Sequence, residues 1–129
     1  MSKDYCTILI GKGDCDFKTA MLLMKAEPSL LETAGFHIQQ AIAKYLKAYL
    51  ISQHIEPPRS HNLFYLLNLC IDLNQSFSLF VDPMLSTIND FAVTFRYDVM
   101  PESDTLDLEH ALHFTTRIRD LVLGLIPSA

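Results

Sequence analysis

The sequence predicts an all-α fold, an antiparallel up-and-down bundle of four to five helices. Half of the 129 residues are hydrophobic, glycine occurs only four times and tryptophan is absent, a composition that favours a helical domain over a turn-rich β-sandwich. Apolar residues recur at helical spacing along several long segments. Because the connections between these segments are short, consecutive helices are expected to pack antiparallel within one domain.

The N-terminal residues 1–13 are predicted to be a mobile or loosely packed extension, with the bundle domain running over 14–129. Residues 7–10 (TILI) could form a short strand. The glycines that follow them do not have the spacing of a phosphate-binding loop, and the second strand of a βαβ unit is absent. A first helix is expected from about Asp16 and ends before Pro28. Its apolar positions are Phe17, Ala20, Met21 and Met24.

The second helix, within residues 34–52, has the strongest helical periodicity of the chain and is therefore expected at the centre of the core. Its apolar stripe comprises Ile38, Ala41, Ile42, Tyr45, Leu46, Tyr49 and Leu50. Pro57 and Pro58 predict an extended connection after it, since a proline ring does not fit a helix interior.

Three further helices follow from capping signals and periodicity. Ser60 is the expected N-cap of the third helix. Asp82 followed by Pro83 is typical of a helix start and predicts the fourth. Residues 98–105 are expected to form a loop, and a fifth helix begins at about Asp107. The inward positions of these helices are Leu63, Leu66, Leu67 and Cys70; Leu85, Ile88, Phe91, Ala92 and Phe95; and Leu108, Ala111, Leu112, Thr115, Ile118, Val122 and Leu125.

Composition excludes several classes of protein. No apolar run approaches the roughly 20 residues needed to span a membrane. The N-terminus is a poor signal peptide because Asp4 precedes a short apolar segment, so a cytoplasmic location is expected. The three cysteines form no C-x-x-C pair, which argues against a disulfide framework and a zinc knuckle. They are Cys6, Cys15 and Cys70.

The net charge of −5 is unevenly distributed. Residues 1–61 contain seven Lys or Arg and six Asp or Glu, whereas residues 62–129 contain three and nine. A continuous basic surface for long nucleic acids is therefore not expected. Any anion site would be a local cluster drawn from Lys44, Lys47, Arg59 and Arg96.

The second helix also carries a polar ridge, which we define as His37, Gln40, Lys44 and Lys47. These residues lie at i, i+3, i+7 and i+10 and so form one continuous row beside the apolar stripe. Such a row can be a solvated helix face or a binding site. The neighbouring Gln39 adds a further amide donor and acceptor next to it.

Residues 36–63 (FHIQQAIAKYLKAYLISQHIEPPRSHNL) resemble the signature of HEPN (higher eukaryotes and prokaryotes nucleotide-binding) domains. The matching positions are Phe36, His37, Gln39, Gln40, Ala41, Lys44, Lys47 and Ala48, then Ser60, His61, Asn62 and Leu63. Residues 16–23 (DFKTAMLL) are similar to the first helix of that family, and residues 95–98 (FRYD) to the element before its last helix. The resemblance covers roughly residues 14–126.

Two positions depart from the family pattern, with Ala43 where a Glu is usual and Asp98 where a Pro is usual. Some HEPN proteins are metal-independent ribonucleases that use an Arg followed at short spacing by a His near the last helix. None of the four arginines of this chain has a histidine at that spacing downstream. The sequence therefore assigns no catalytic residue, no metal site and no cofactor.

The resemblance implies a helical bundle, commonly a homodimer, that binds a nucleotide or RNA. It also implies, in bacteria, a possible partner protein of the minimal nucleotidyltransferase type within a toxin–antitoxin pair. The candidate residues for binding phosphate or a nucleotide are Gln39, Gln40, Lys44, Lys47, Arg59, His61, Arg96 and Tyr97. In the alternative interpretation, Arg96 pairs with Asp98 or Asp90, and His61 belongs to the first turn of the third helix.

A second polar group lies on the fifth helix and consists of His110, His113, Arg117 and Asp120. A solvated face is the favoured interpretation, because the outer face of any helix collects such residues. Two other functions stay open. One is an atypical ribonuclease toxin that pairs Arg96 or Arg117 with a histidine among His61, His110 and His113. The other is a protein-interaction scaffold whose polar ridge meets a partner.

Overall fold

A computed structural model of the chain describes residues 3–26, 30–97 and 107–127, with the side chains of 4–26, 30–90 and 107–127. Within these ranges the chain forms five α-helices and one 3-10 helix, without a strand, which confirms the predicted all-α bundle. The helices are α1 Lys3–Lys25, α2 Leu31–Ser52, α3 Leu63–Leu73, the 3-10 helix Gln75–Phe80, α4 Pro83–Tyr97 and α5 Leu108–Leu125.

Helix α2 lies at the centre and packs against α1, α3, α4 and α5. Thirteen of its residues are buried, far more than a single amphipathic stripe requires. A helix that is apolar on most sides is stable only when other helices surround it. The seven predicted stripe residues are all among the buried ones: Ile38, Ala41, Ile42, Tyr45, Leu46, Tyr49 and Leu50.

Helix α1 begins much earlier than predicted. Residues 7–10, for which a short strand was one possibility, lie within α1, and this helix crosses the predicted boundary after residue 13 without a break. Cys6 is buried, and its Sγ donates a hydrogen bond to the Ala48 carbonyl oxygen at 3.3 Å. The start of α1 therefore packs against the end of α2, and the two helices are antiparallel. Independent motion of the first 13 residues stays a prediction.

The predicted starts of α4 and α5 are confirmed, and the predicted N-cap of α3 is wrong. Asp82 Oδ1 accepts from the Met84 backbone N–H at 2.8 Å, and Asp107 Oδ1 accepts from the His110 N–H at 3.1 Å. Helix α3 is capped by Asn62, whose Oδ1 accepts from the backbone N–H groups of Phe64 and Tyr65 at 3.0 and 3.2 Å. Ser60 instead accepts a hydrogen bond from the Asn62 N–H at 3.1 Å, so it braces the cap.

The predicted inner faces of α3 and α5 and the first half of α4 are buried as expected, apart from the partly exposed Leu125. Phe91, Ala92, Phe95 and the loop at 98–105 lie outside the residues whose side chains the structure describes. Among the described helices, none is long and apolar enough to cross a membrane.

The three cysteines are free thiols. Burial raises the pKa of the Cys6 thiol and raises that of Cys70 to about 12. Cys70 also donates to the Leu46 carbonyl oxygen at 3.6 Å. Because the thiolate is the reactive form, these two buried thiols act as apolar core groups. Cys15 is exposed.

Candidate functional site

All four residues of the polar ridge are partly exposed, on the one side of α2 that its neighbours do not fully cover. Helix α1 flanks the ridge through Asp16. His37 Nδ1 donates to Asp16 Oδ1 at 2.9 Å, and Lys44 Nζ forms an ion pair with Asp16 Oδ2. One carboxylate thus holds two ridge residues, while the His37 and Lys44 side chains keep 28% and 27% of their surface exposed.

The connection between α2 and α3 flanks the ridge on its other side. Gln39 is fully buried, and its Nε2 donates to the backbone carbonyl oxygen of His61. Gln40 Nε2 in turn donates to Gln39 Oε1 at 2.7 Å. The two glutamines therefore link the ridge to the connection and fold it back onto α2.

This connection explains the Ser-His-Asn-Leu motif. Within this motif, Asn62 caps α3 and Ser60 braces that cap. The carbonyl oxygen of His61 accepts the hydrogen bond from Gln39. Leu63 is buried, and its backbone N–H donates to Asn89 Oδ1 at 2.9 Å on α4. The motif is thus a structural corner, whereas the side chains of Arg59 and His61 are exposed at its surface.

Lys47 differs from the other cation of the ridge. Among the residues with described side chains, no carboxylate lies within ion-pair distance of its amino group, whereas Lys44 is paired. Burial lowers the pKa of the Lys47 amino group, and the neighbouring positive charge of Lys44 lowers it further. A partly buried ammonium group that is repelled by its neighbour gains from an added anion.

The predicted site residues are thus placed in two groups. Gln39, Gln40, Lys44 and Lys47 lie along one side of α2, with Arg59 and His61 in the connection that Gln39 anchors there. Arg96 and Tyr97 belong to the last turn of α4, but their side chains lie outside those that the structure describes. The convergence of all these groups on one ligand stays a prediction.

The acidic partners on α1, Asp14 and Asp16, were not predicted from the sequence. Asp14 accepts two hydrogen bonds from Arg119 of α5, at 2.7 Å from Nε and 3.1 Å from Nη2. The Tyr45 hydroxyl donates to the same carboxylate at 2.6 Å. The Asp-Cys-Asp spacing is the signal that could have indicated them, because residues 14 and 16 lie on either side of the α1 face that meets α2.

The Asp14 network shifts the pKa values of its members in the directions that its contacts require. The hydrogen bond from Arg119 lowers the pKa of Asp14, against an opposing effect of burial. Burial, followed by the hydrogen bond to Asp14, raises the pKa of Tyr45 well above its usual range. The network is partly buried and joins α1, α2 and α5, so it stabilises the packing on which the ridge depends.

Three of the four polar residues named on α5 lie next to α4. His110, His113 and Arg117 line a cleft beside the start of α4, and Asp120 is exposed outside it. Within the described residues, no three side chains of the His, Cys, Asp or Glu type are placed to share a metal ion.

Comparison with known proteins gives one result that covers nearly the whole chain. The family model of the HEPN domain matches residues 7–125. This range begins within α1 and ends at the last residue of α5. No curated protein and no solved structure matches the chain. The match covers most of the chain, which therefore belongs to the HEPN domain family.

Proposed function

We propose that the protein binds a nucleotide or another phosphate-bearing ligand along the polar ridge of α2. The observation that carries this proposal is Lys47, a partly buried cation next to Lys44 and without a carboxylate partner among the described side chains. A phosphate group supplies the negative charge and the acceptor oxygens that this ammonium lacks.

The surroundings of Lys47 support an anion as the ligand. Lys44 and Asp16 together carry no net charge, so Lys47 leaves the ridge with about one positive charge at neutral pH. Arg59 adds a guanidinium that can contact phosphate oxygens through two parallel hydrogen bonds. Because the glutamine pair holds the connection against α2, the side chains of Arg59 and His61 are carried on an anchored segment.

The remaining candidates have different roles in this proposal. Gln39 is buried and positions the connection. Gln40 is partly exposed, and its amide retains hydrogen-bonding capacity toward a ligand. Arg96 is proposed to add a second guanidinium and Tyr97 a ring for stacking on a base, both from the end of α4.

Calorimetric titration of ATP, GTP and a short RNA into the intact protein tests the proposal. We expect at least one of them to bind, and we expect Lys47→Gln to weaken it about tenfold, since a charge-assisted hydrogen bond is lost. Lys44→Ala and Arg96→Ala are expected to weaken it as well. Lys12→Gln is the matched control, because it removes the same charge from an exposed position on α1. Absence of binding by all three ligands, or equal affinity in wild type and Lys47→Gln, would refute the proposal.

We further propose that the protein is a homodimer and one half of a toxin–antitoxin-like pair with a minimal nucleotidyltransferase. Family membership supports both statements. Light scattering on the purified protein is expected to give twice the mass of the chain. A gene for a minimal nucleotidyltransferase next to that of this protein, and co-purification of the two products, would support the pair. A monomer at micromolar concentration would contradict the first statement.

The atypical ribonuclease remains the second candidate, since the cleft gathers His110, His113 and Arg117 on one surface. Under that function, expression arrests growth, and His→Ala changes at the cleft relieve the arrest. A protein-interaction scaffold is the third candidate, in which the ridge binds a partner protein and phosphate ligands leave it unaffected.

A further inference from the structure

A second polar site lies away from the ridge, in a cleft of about 350 Å³ between the start of α4 and the first half of α5. Its floor is apolar and contains Phe114, which is only 4% exposed, together with Met84. His110, His113 and Arg117 stand at its rim. All three rim residues are exposed, as the solvated-face interpretation expects, and they also border this cleft.

The three rim residues lie on one side of α5 because they are spaced at i, i+3 and i+7. The Arg117 guanidinium is held over the Phe80 ring, 5.4 Å from its centroid, a cation–π contact that restricts its orientation. Among the described side chains, no carboxylate lies within ion-pair distance of Arg117. Its hydrogen-bond donors are therefore not occupied by an acid.

The cleft also contains polar groups that are already engaged. The Asp82 carboxylate caps α4 by accepting from the Met84 N–H at 2.8 Å. The Thr87 hydroxyl donates to the Pro83 carbonyl oxygen at 3.2 Å. The other donors in the lining are the Arg117 guanidinium, which is always charged, and the imidazoles of His110 and His113. Glu109 and Asp120 are exposed on α5 outside the lining.

We propose that this cleft binds a small phosphate monoester that carries a planar ring. Arg117, His110 and His113 bind the phosphate, since the three terminal oxygens and the charge of about −1.5 to −2 of a phosphate monoester suit a guanidinium fork together with two ring N–H groups. The ring of the ester packs on Phe114 and Met84. The volume is near the lower end of small-molecule pockets, which limits the ligand to about the size of one mononucleotide.

This site is separate from the ridge in its elements and in its residues, so the two proposals are tested independently. The cleft belongs to α4 and α5, whereas the ridge belongs to α2 and is flanked by α1 and the α2–α3 connection. A ligand in the cleft is reported by the rings of His110 and His113, and these are not ridge residues.

Titration of AMP and of phenyl phosphate into the intact protein, followed through the histidine ring signals by NMR, tests the proposal and identifies the type of ring. We expect at least one ester to shift the His110 and His113 signals saturably, and ribose 5-phosphate to bind more weakly because it lacks the planar ring. Arg117→Gln is expected to weaken binding about tenfold or more. Arg117→Lys keeps the charge but loses the fork and should give an intermediate effect.

Two variants serve as controls. Lys12→Gln removes a positive charge elsewhere and should leave the titration unchanged, and Lys47→Gln should do the same even if it abolishes binding at the ridge. The proposal is overturned if neither ester moves both histidine signals at millimolar concentration. It is also overturned if Arg117→Gln binds as tightly as wild type while circular dichroism shows it folded, or if Lys47→Gln abolishes the histidine shifts.

Discussion

The extent of helix α1 can be tested with two glycines that lie two residues apart within it, Gly11 and Gly13. A Cβ atom at Gly11 would meet no atom within 4 Å. A Cβ atom at Gly13 would lie 2.8 Å from Tyr45 Cε1 and 3.1 Å from Cδ1. Substitution of each glycine by alanine therefore changes the same helix by the same group, once toward open space and once against α2.

The expected magnitudes follow from helix propensity and overpacking. Glycine to alanine within a helix stabilises by about 0.5–1 kcal/mol, and Gly11→Ala should show this gain. Gly13→Ala has the same gain but also forces the Tyr45 ring to move, which costs about 1–3 kcal/mol for an overpacked core. The ring cannot shift freely, because it is fully buried and its hydroxyl is bonded to Asp14 at 2.6 Å. The difference between the two variants should thus be about 1–3 kcal/mol.

Urea unfolding of both variants, followed by circular dichroism at 222 nm or by another helix signal, measures this difference. We expect the urea midpoint of Gly11→Ala to be higher than that of wild type. The midpoint of Gly13→Ala should be lower than that of Gly11→Ala. If residues 1–13 were a mobile extension, neither substitution would meet Tyr45, and the two midpoints would coincide. Equal midpoints would therefore refute the packing of α1 described above.

Three further predictions concern partly buried polar contacts. Asp14→Asn should cost about 1 kcal/mol at neutral pH, a value kept low because the Asp14 and Arg119 side chains are about one third exposed. Since the pKa of Asp14 is lowered from its ordinary 3.8, this contribution is present above that value and disappears as the pH falls through the lowered pKa. The free energies of unfolding of wild type and variant should therefore converge at acid pH. A constant difference between them would contradict the ion pair. Tyr45→Phe should cost about 1 kcal/mol by removing the hydroxyl that binds Asp14, and thermal unfolding that is unchanged would contradict that hydrogen bond. Gln39→Ala should cost about 1 kcal/mol, because it removes the hydrogen bond to the His61 carbonyl oxygen. Hydrogen exchange in the α2–α3 connection should increase, and unchanged exchange would show that the connection is held by other contacts.

Periodicity and capping predicted most of the helical core, because both depend on residues close together in the chain. The buried stripe of α2 and the Asp82 cap of α4 are local patterns of this kind. The cap of α3 was misassigned between Ser60 and Asn62, two residues that are both good N-caps. The structure uses both, one as the cap and one to brace it.

The helical state of the first half of α1 was not predicted, because it depends on distant residues. Two glycines after a short apolar run favour a break, since glycine lowers helix propensity. Gly13 is nevertheless suited to the helix, because its missing side chain leaves room for the ring of Tyr45, which lies 32 positions later in the chain. Asp14 likewise bonds to Arg119, at a separation of 105 residues. Neither contact can be derived from local spacing.

The ridge was identified correctly as a row of residues, but its two flanks could not be predicted. The row follows from helical spacing alone, and its partial exposure leaves both earlier interpretations physically reasonable. The burial of Gln39 and its bond to the His61 carbonyl depend on how the α2–α3 connection folds back. The sequence resemblance included both motifs, yet it contained no information that one of them anchors the other.

The ridge has a carboxylate, from Asp16 on α1, even though position 43 departs from the family pattern. Ala43 stands where a Glu was expected next to Lys44, and it is only 1% exposed within the core. A carboxylate there would need a buried partner to offset its desolvation. Asp16 supplies the acid from α1 instead and pairs with both Lys44 and His37. Because this acid neutralises Lys44 and leaves Lys47 unpaired among the described side chains, the arrangement favours the binding of an anion beside Lys47 over acid–base chemistry at position 43.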